Sequence, residues 1–570
     1  MVRFMNENSD NRAVNENTDN RSVNDNAGNS ADTAIASLLD APRKGILRLI
    51  FSRAPLFLIL MAMQLFIFFS IFGWMKEYIR HYQIVQMIFT FIVTLCLFNC
   101  RMDSTGKLTW MMIIAIFPFP GAFLLYYTRI NFGHRSSAMR TQRIIADTKH
   151  ILDKDSSVLK RLENDSYGTD DLVRYVNRTG SFPMYDDTEV TYFPTGEEKF
   201  AAMLPELEKA EHYIYLEYFI IEEGYMWGRI LEILERKAAA GVDVRVMYDG
   251  TCELSTLTFD YKKRLESVGI KAKVFAPMTP VLSTHYNYRD HRKILVIDGK
   301  VAFNGGVNLA DEYINRKVRF GHWKDTALML KGSAVRSFTL MFLQMWNITE
   351  RVQDYRVLKE KPEAIADGTV QEGPDAAPEG QNTAPDKNLG FVMPYGDVPY
   401  DEDKVGETVY MDILYRAADY VHIMTPYLIL DGELEQALCY AAQRGVDVKL
   451  ILPGIPDKPY ALAVAKSHYG ELMRAGVKIY EYVPGFVHAK VFVSDDQKAV
   501  VGTINLDYRS LYHHFECATY MYRTPCIPEI EKDFQETLAK CHPIIPGSEE
   551  NDSLYYRLVG PLLKTIAPLL

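Results

Sequence analysis

The sequence predicts an α/β protein made of two copies of one domain, preceded by a helical region that spans a membrane. Three observations lead there. Uncharged apolar stretches crowd the chain between residues 55 and 128. One strand–helix–strand pattern then occurs twice. A set of histidine, lysine, aspartate and asparagine recurs at the same place in both copies.

At 570 residues the chain is several domains long. Apolar residues make up 48 % and charged residues 24 %, as in ordinary folded proteins. A formal charge of −10 argues against a broad nucleic-acid footprint. The seven cysteines (Cys96, Cys100, Cys252, Cys439, Cys517, Cys526, Cys541) form no C-x-x-C pair and are odd in number. No disulfide framework or structural zinc site follows, and a reducing compartment is the simplest home. The mean hydropathy of −0.11 conceals a very uneven chain.

Residues 1–42 open with an Asn-rich repeat of period nine (NENSDNRAV, NENTDNRSV, NDNAGNS) that is too polar to bury a core, so this tail is expected to be disordered. Residues 43–130 form the membrane-anchoring region. The runs 55–74, 83–100 and 108–128 carry no charge, and the first is long enough to cross a bilayer core of roughly 30 Å. A signal peptide is excluded by the fifty-odd residues before the first run and the lack of a small-residue cleavage site after it. Arg43, Lys44, Arg48 and Arg53 precede the first run, and Arg129, Arg135, Arg140 and Arg143 follow the third, which places both flanks in the cytoplasm. Pro118, Pro120 and Gly121 interrupt the third run, which reads as a bent or re-entrant segment after two full crossings.

A connecting helical segment covers 131–185, the first domain 186–356, and the second 392–548. Between the domains, 357–391 is rich in Pro, Gly, Ala and acid, as an exposed linker is. The copies are visible in GVDVRVMYDG at 241 and GVDVKLILPG at 445, each preceded by an amphipathic helix pattern that ends at the glycine. Such alternation marks α/β units. The end, 549–570, is an amphipathic tail.

HRKILVIDGKVAFNGGVN in the first copy supplies His291, Lys293, Asp298 and Asn308. HAKVFVSDDQKAVVGTIN in the second supplies His488, Lys490, Asp495 and Asn505, each 197 residues further on. ILVI and VFV are strand strings, so each His shares a face with the Lys two residues later. The aspartates belong to the same motif and are counted with the catalytic set. Their odd spacing from the histidines nevertheless points them to the other face, holding the hairpin together and acting indirectly. Gly305, Gly306 and Gly502 allow close backbone approach, and the asparagines can offer amide donors. Two lysines and two amides around a tetrahedral anion stabilise a phosphoryl transition state. One neutral His can attack phosphorus while the other, protonated, serves the leaving and entering oxygens. This chemistry calls for no cofactor, and no metal-ligand spacing appears.

The duplicated HxK(x4)D(x6)G[GST]xN resembles the phospholipase D superfamily, and the chain is similar to its bacterial cardiolipin synthases over about 500 residues. HWKDT, TPYLILDGELEQAL, YVPGFVHAKVFVSDD and GTINLDYRSLYHHFE carry that likeness. The resemblance implies duplicated phospholipase D-like α/β/α sandwich domains and a multi-pass protein of the bacterial cell membrane with cytoplasmic catalytic domains. It implies phosphatidylglycerol as substrate and cardiolipin as product, with a phospho-histidine intermediate. It also implies that a carboxylate downstream of each motif orients the histidine of the opposite half: Asp325 for His488, and Glu516 for His291. Asp325, Glu516, Asn308 and Asn505 are thus the substrate-positioning set. Glu217 lies on a strand leading to the site and reads equally well as structural, and Trp323 with the aromatics of 218–227 could line a lipid channel or the core.

A phospholipase D-type phosphodiesterase, with water in place of the second alcohol, is the alternative, since acceptor choice depends on pocket shape and water exclusion. An inactive membrane scaffold is opposed by intact motifs in both halves, and a nuclease by the negative charge.

Overall fold

The computed structural model describes Phe66 and residues 79–129, 135–165, 168–180, 182–258, 260–277, 287–359, 389–401, 403–547 and 553–569. The Asn-rich tail, the first apolar run apart from Phe66, and linker residues 360–388 lie outside the described residues.

Helices Ile79–Phe98, Ser104–Ile116 and Pro118–Arg129 pack around Leu97, Trp110, Ile114 and Leu125. Asp103 caps the second of them by accepting the Gly106 N–H. The expected membrane-spanning region is not carried by these elements: among the described residues, no helix is long and apolar enough to cross a membrane. The physical reason is local. The third apolar run breaks at Phe117, leaving pieces of 13 and 12 residues, each only about 20 Å long. The helix holding the second run opens on the polar Arg80 and His81. The break lets the pieces cross closely, because a Cβ on Gly121 would stand 3.2 Å from the Ile113 carbonyl oxygen. Helices Arg135–Thr148, Ser156–Asp165 and Thr169–Thr179 follow and add Ile144, Leu162, Val173 and Val176 to the main core.

In the first copy, β1 (Glu189–Phe193), β2 (Tyr213–Tyr218), β3 (Asp243–Asp249), β4 (Lys271–Phe275), β5 (Lys293–Ile297), β6 (Val301–Gly305) and β7 (Ala327–Lys331) form a sheet ordered β1-β7-β6-β5-β2-β3-β4. In the second, β8 (Phe391–Asp397), β9 (Tyr420–Met424), β10 (Asp447–Pro453), β11 (Lys478–Tyr482), β12 (Val491–Ser494), β13 (Lys498–Gly502) and β14 (His514–Tyr522) repeat that order as β8-β14-β13-β12-β9-β10-β11. A short β15 (Cys541–Pro543) extends the β11 edge. Strands β2, β3 and β4 are parallel, as are β9, β10 and β11. All six residues of β2 are buried, as expected of a strand covered on both faces.

Helices Tyr225–Ala239 and Gly432–Gln443 make the matching crossovers. Each ends before a glycine in the left-handed region, Gly241 at φ 94° and Gly445 at φ 93°, where a side chain is strained. One continuous core runs through both copies, joining Ile294, Phe338 and Phe342 to Val421, Phe492 and Tyr520. All seven cysteines are free.

The C-terminal helix Leu554–Lys564 lies on helix Pro459–Ala475. Gly560 makes the approach possible, since a Cβ there would come 2.4 Å from the Ala463 carbonyl oxygen. Lys564 pairs with Glu435 at 3.3 Å, and Ala567 is buried among Ile429, Ala461, Val464 and Tyr508. The outer face exposes Leu554, Leu558 and Leu562, four residues apart and therefore in one stripe. The Thr109 hydroxyl donates to the Thr565 carbonyl at 2.7 Å, tying the N-terminal helices to this end.

Candidate active site

Two short parallel pairings between the copies build the site. Arg289–Asp290 pairs with the start of β14, setting Arg289 opposite His514 and Asp290 opposite Phe515. Gly485–Val487 pairs with His322–Lys324. The chain therefore delivers each motif histidine beside the strand that carries the other copy's carboxylate. The His291 N–H donates to the Phe515 carbonyl at 2.9 Å, and the His488 N–H to the Lys324 carbonyl at 2.7 Å. Glu516 and Asp325 are the next residues along those strands.

The side chains then meet. His291 Nδ1 lies 2.9 Å and 3.0 Å from the two Glu516 carboxylate oxygens. His488 Nδ1 lies 2.7 Å from Asp325 Oδ2. The carboxylates are themselves held: the Thr326 N–H donates to Asp325 at 2.8 Å, and the Thr503 hydroxyl donates to Glu516. Gly306 makes room for Asp325, because a Cβ there would sit 2.1 Å from Oδ1. With Nδ1 occupied, the Nε2 atom of each ring is the one open to chemistry.

Lys293 and Lys490 are buried beside their histidines, each donating to the carbonyl of the His two residues before. Burial lowers Lys293 to about 8 and Lys490 to about 7, against partial support from the site carboxylates. Burial together with the two lysines pushes His291 well below its ordinary range. Burial and Lys490 bring His488 to about 4, opposed by Asp325. Both rings are therefore neutral in the ligand-free site at neutral pH. The mutual influence of the lysines and histidines places both halves in one cluster.

Asp298 and Asp495 are not in this cluster, which corrects their inclusion with the catalytic set. Asp298 accepts the N–H groups of Glu211, His212 and Tyr213 at 2.7–2.8 Å. Asp495 accepts those of Ala418, Asp419 and Tyr420 at 2.9 Å. Each sits in a left-handed turn at the far end of its hairpin, Asp298 at φ 50° and Asp495 at φ 54°. That end is about 16 Å of strand from Lys293 or Lys490. They fasten each hairpin to the start of the neighbouring strand, β2 in one copy and β9 in the other.

Asn308 is partly committed: it accepts the Ile220 N–H at 3.0 Å and donates to the Tyr313 hydroxyl at 2.8 Å. Asn505 donates to Asp507 at 3.4 Å, and its buried Oδ1 has no partner in the protein. Each side-chain amide retains one N–H for a ligand. Glu217 is fully buried, 3.5 Å from Arg292. Trp323 lies beside His488, ring centroids 5.5 Å apart, and Phe219 meets His291 edge-on at 5.0 Å.

Sequence reasoning missed Lys199 and His514. Lys199 is buried, lowered to about 7, and donates to the Val307 carbonyl at 3.0 Å. No motif signals it; only the pairing of its helix with the Val307 loop brings it near. Among the described residues, His291, His514 and Glu516 also bring one possible metal-ligand atom each within 4.8 Å of one another.

Residues 203–346 and 410–538 match the family model described as cardiolipin synthase, PLD-like domain. An uncharacterized protein of Streptococcus mutans serotype c is 54 % identical over 84 % of this chain and 99 % of its own length. The cardiolipin synthase of Alkalihalophilus pseudofirmus is 32 % identical over 85 % of this chain and 94 % of its own. The chain belongs to the cardiolipin synthase family. The crystal structure of phosphatidylserine synthase from Haemophilus influenzae Rd KW20 aligns with TM-score 0.52 at 13 % identity, over 71 % of this chain and all of that one. At that identity the likeness speaks for a shared phospholipase D-like fold.

Proposed function

We propose that this member of the cardiolipin synthase family joins two phosphatidylglycerols into cardiolipin and glycerol. The observation that carries the reading is the crossed His291–Glu516 and His488–Asp325 pairing between two buried lysines. Neutral His291 attacks the donor phosphorus through Nε2, forming a P–N bond as the P–O bond to glycerol breaks. His488 gives its proton to the leaving glycerol oxygen. In the second half, His488 takes the proton of the acceptor's primary hydroxyl. That oxygen bonds to phosphorus and the P–N bond breaks, restoring both histidines. Lys293, Lys490 and the free N–H of each asparagine stabilise the phosphoryl oxygens. Burial and, after it, the lysine charges hold the rings neutral; the phosphodiester anion offsets those charges, so substrate binding favours protonated His488.

The same reading puts the chain at the bacterial cell membrane, catalytic domains on the cytoplasmic side. Exposed Met87, Phe91, Leu95 and Phe98 on helix Ile79–Phe98, and the Leu554, Leu558, Leu562 stripe, support it.

The test is a product assay with purified full-length protein and phosphatidylglycerol as the only phospholipid. Cardiolipin with equimolar free glycerol is expected. Phosphatidic acid as the dominant product would replace this reading with hydrolysis.

A further inference from the structure

The pseudo-twofold relation between the copies breaks beside the histidines. Two residues before each carboxylate stands Trp323 in one copy and His514 in the other. They occupy matching places: the Trp323 ring lies 5.5 Å from that of His488, and the His514 ring 5.4 Å from that of His291. Tryptophan offers an apolar wall with a single donor, whereas a neutral imidazole offers one donor and one acceptor. His514 is only 8 % exposed, and neither ring nitrogen has a hydrogen-bond partner in the protein. The nearest carboxylate oxygen, on Glu516, stands 3.6 Å from Nδ1. Phe219 covers the same corner, 5.0 Å from His291 and 6.4 Å from His514. Burial holds the His514 ring neutral. Buried polar groups are almost always satisfied, and this ring stands beside the proposed nucleophile, 5.4 Å from His291.

We infer that His514 is a positioning residue for the glycerol end of the substrate, taking a hydroxyl of the headgroup beside His291. The inference rests on the phosphatidyl-transfer reading and deepens it. A glycerol headgroup carries hydroxyls that both donate and accept, which suits imidazole and not the indole opposite. Holding the secondary hydroxyl aims the primary oxygen at phosphorus and leaves less room for water. His514 thus favours a glycerol acceptor over hydrolysis and makes the two sides of the site unequal.

The test uses full-length protein in mixed micelles with labelled phosphatidylglycerol as donor. The competing acceptors are phosphatidylglycerol and phosphatidyl-1,3-propanediol, which lacks the secondary hydroxyl. The unmodified protein is expected to prefer phosphatidylglycerol by about tenfold, the scale of one hydrogen bond. His514→Phe should reduce that preference to within about twofold and divert product to phosphatidic acid, while His514→Asn, which keeps a donor and an acceptor, retains both properties. A preference and a phosphatidic acid share unchanged in His514→Phe would overturn the inference. So would an unmodified protein that does not distinguish the acceptors, a result independent of how any variant folds. Failure of the unmodified protein to make cardiolipin at all overturns the parent reading, and this one with it.

Discussion

His488 and Asp325 stand 163 residues apart, in different copies, with Nδ1 and Oδ2 only 2.7 Å apart. Neither copy therefore holds a complete histidine–carboxylate unit, and the site exists only where the two meet. The parallel pairing of Gly485–Val487 with His322–Lys324 fixes this contact, and that of Arg289–Asp290 with β14 fixes its counterpart.

Breaking either crossed pair should cost rate with little loss of fold. Asp325→Asn and Glu516→Gln keep shape but lose the charge that holds each ring and stabilises its protonated form. Turnover should fall by about 10² to 10⁴. Rates measured on variants with native melting curves check this; wild-type turnover in either would remove the carboxylates from the mechanism.

Asp298→Ala should behave in the opposite way. It removes the acceptor of three backbone N–H groups, so about 1.5–3 kcal/mol of stability should go. Turnover per folded molecule should persist. Denaturant unfolding beside active-site titration separates the two; a dead but fully stable variant would return Asp298 to the reacting groups.

Acid should destabilise the protein below about pH 6.5. His514 is held at about 3 and His488 at about 4 in the folded state, both lowered by burial. Between those values and 6.5 the unfolded chain binds protons that the native chain does not, so stability falls as pH falls. Above 6.5 these groups make no difference. His514→Phe should flatten the acid limb of a melting-temperature profile, and an unchanged limb would show that the ring is not held neutral.

The C-terminal helix presents Leu558 and Leu562 outward, while Leu563 packs against the Ile429–Val464 cluster. Leu558→Asp with Leu562→Asp should therefore weaken binding to phosphatidylglycerol vesicles without lowering the melting temperature, and Leu563→Asp should lower it. Undiminished vesicle binding by the first pair would put the membrane contact elsewhere.

Much of this was legible because the chemistry is written twice. Histidine, lysine and asparagine recur in register, and the crossover helices end at glycines forced to positive φ. The odd spacing of Asp298 from His291 gave its hairpin role against its place in the motif. The interruption of the third apolar run was legible too: Pro118, Pro120 and Gly121 mark the place where Phe117 divides it into two short helices. His514 was invisible because its significance comes from a contact between copies, and Lys199 because no motif marks a lysine that packing within its own copy brings to the Val307 carbonyl. An imidazole two residues from a carboxylate in sequence says nothing of the His291 ring it packs beside across the copies.

The most direct test of the crossed-pair mechanism is to trap the intermediate. Unmodified protein, given phosphatidylglycerol labelled in its phosphatidyl phosphate and quenched within a single turnover under denaturing alkaline conditions, should carry an acid-labile label. Peptide mapping should place that label on His291, and the label should pass to cardiolipin when the reaction is left to run. Cardiolipin formed by the unmodified protein with no label on either histidine would contradict the account.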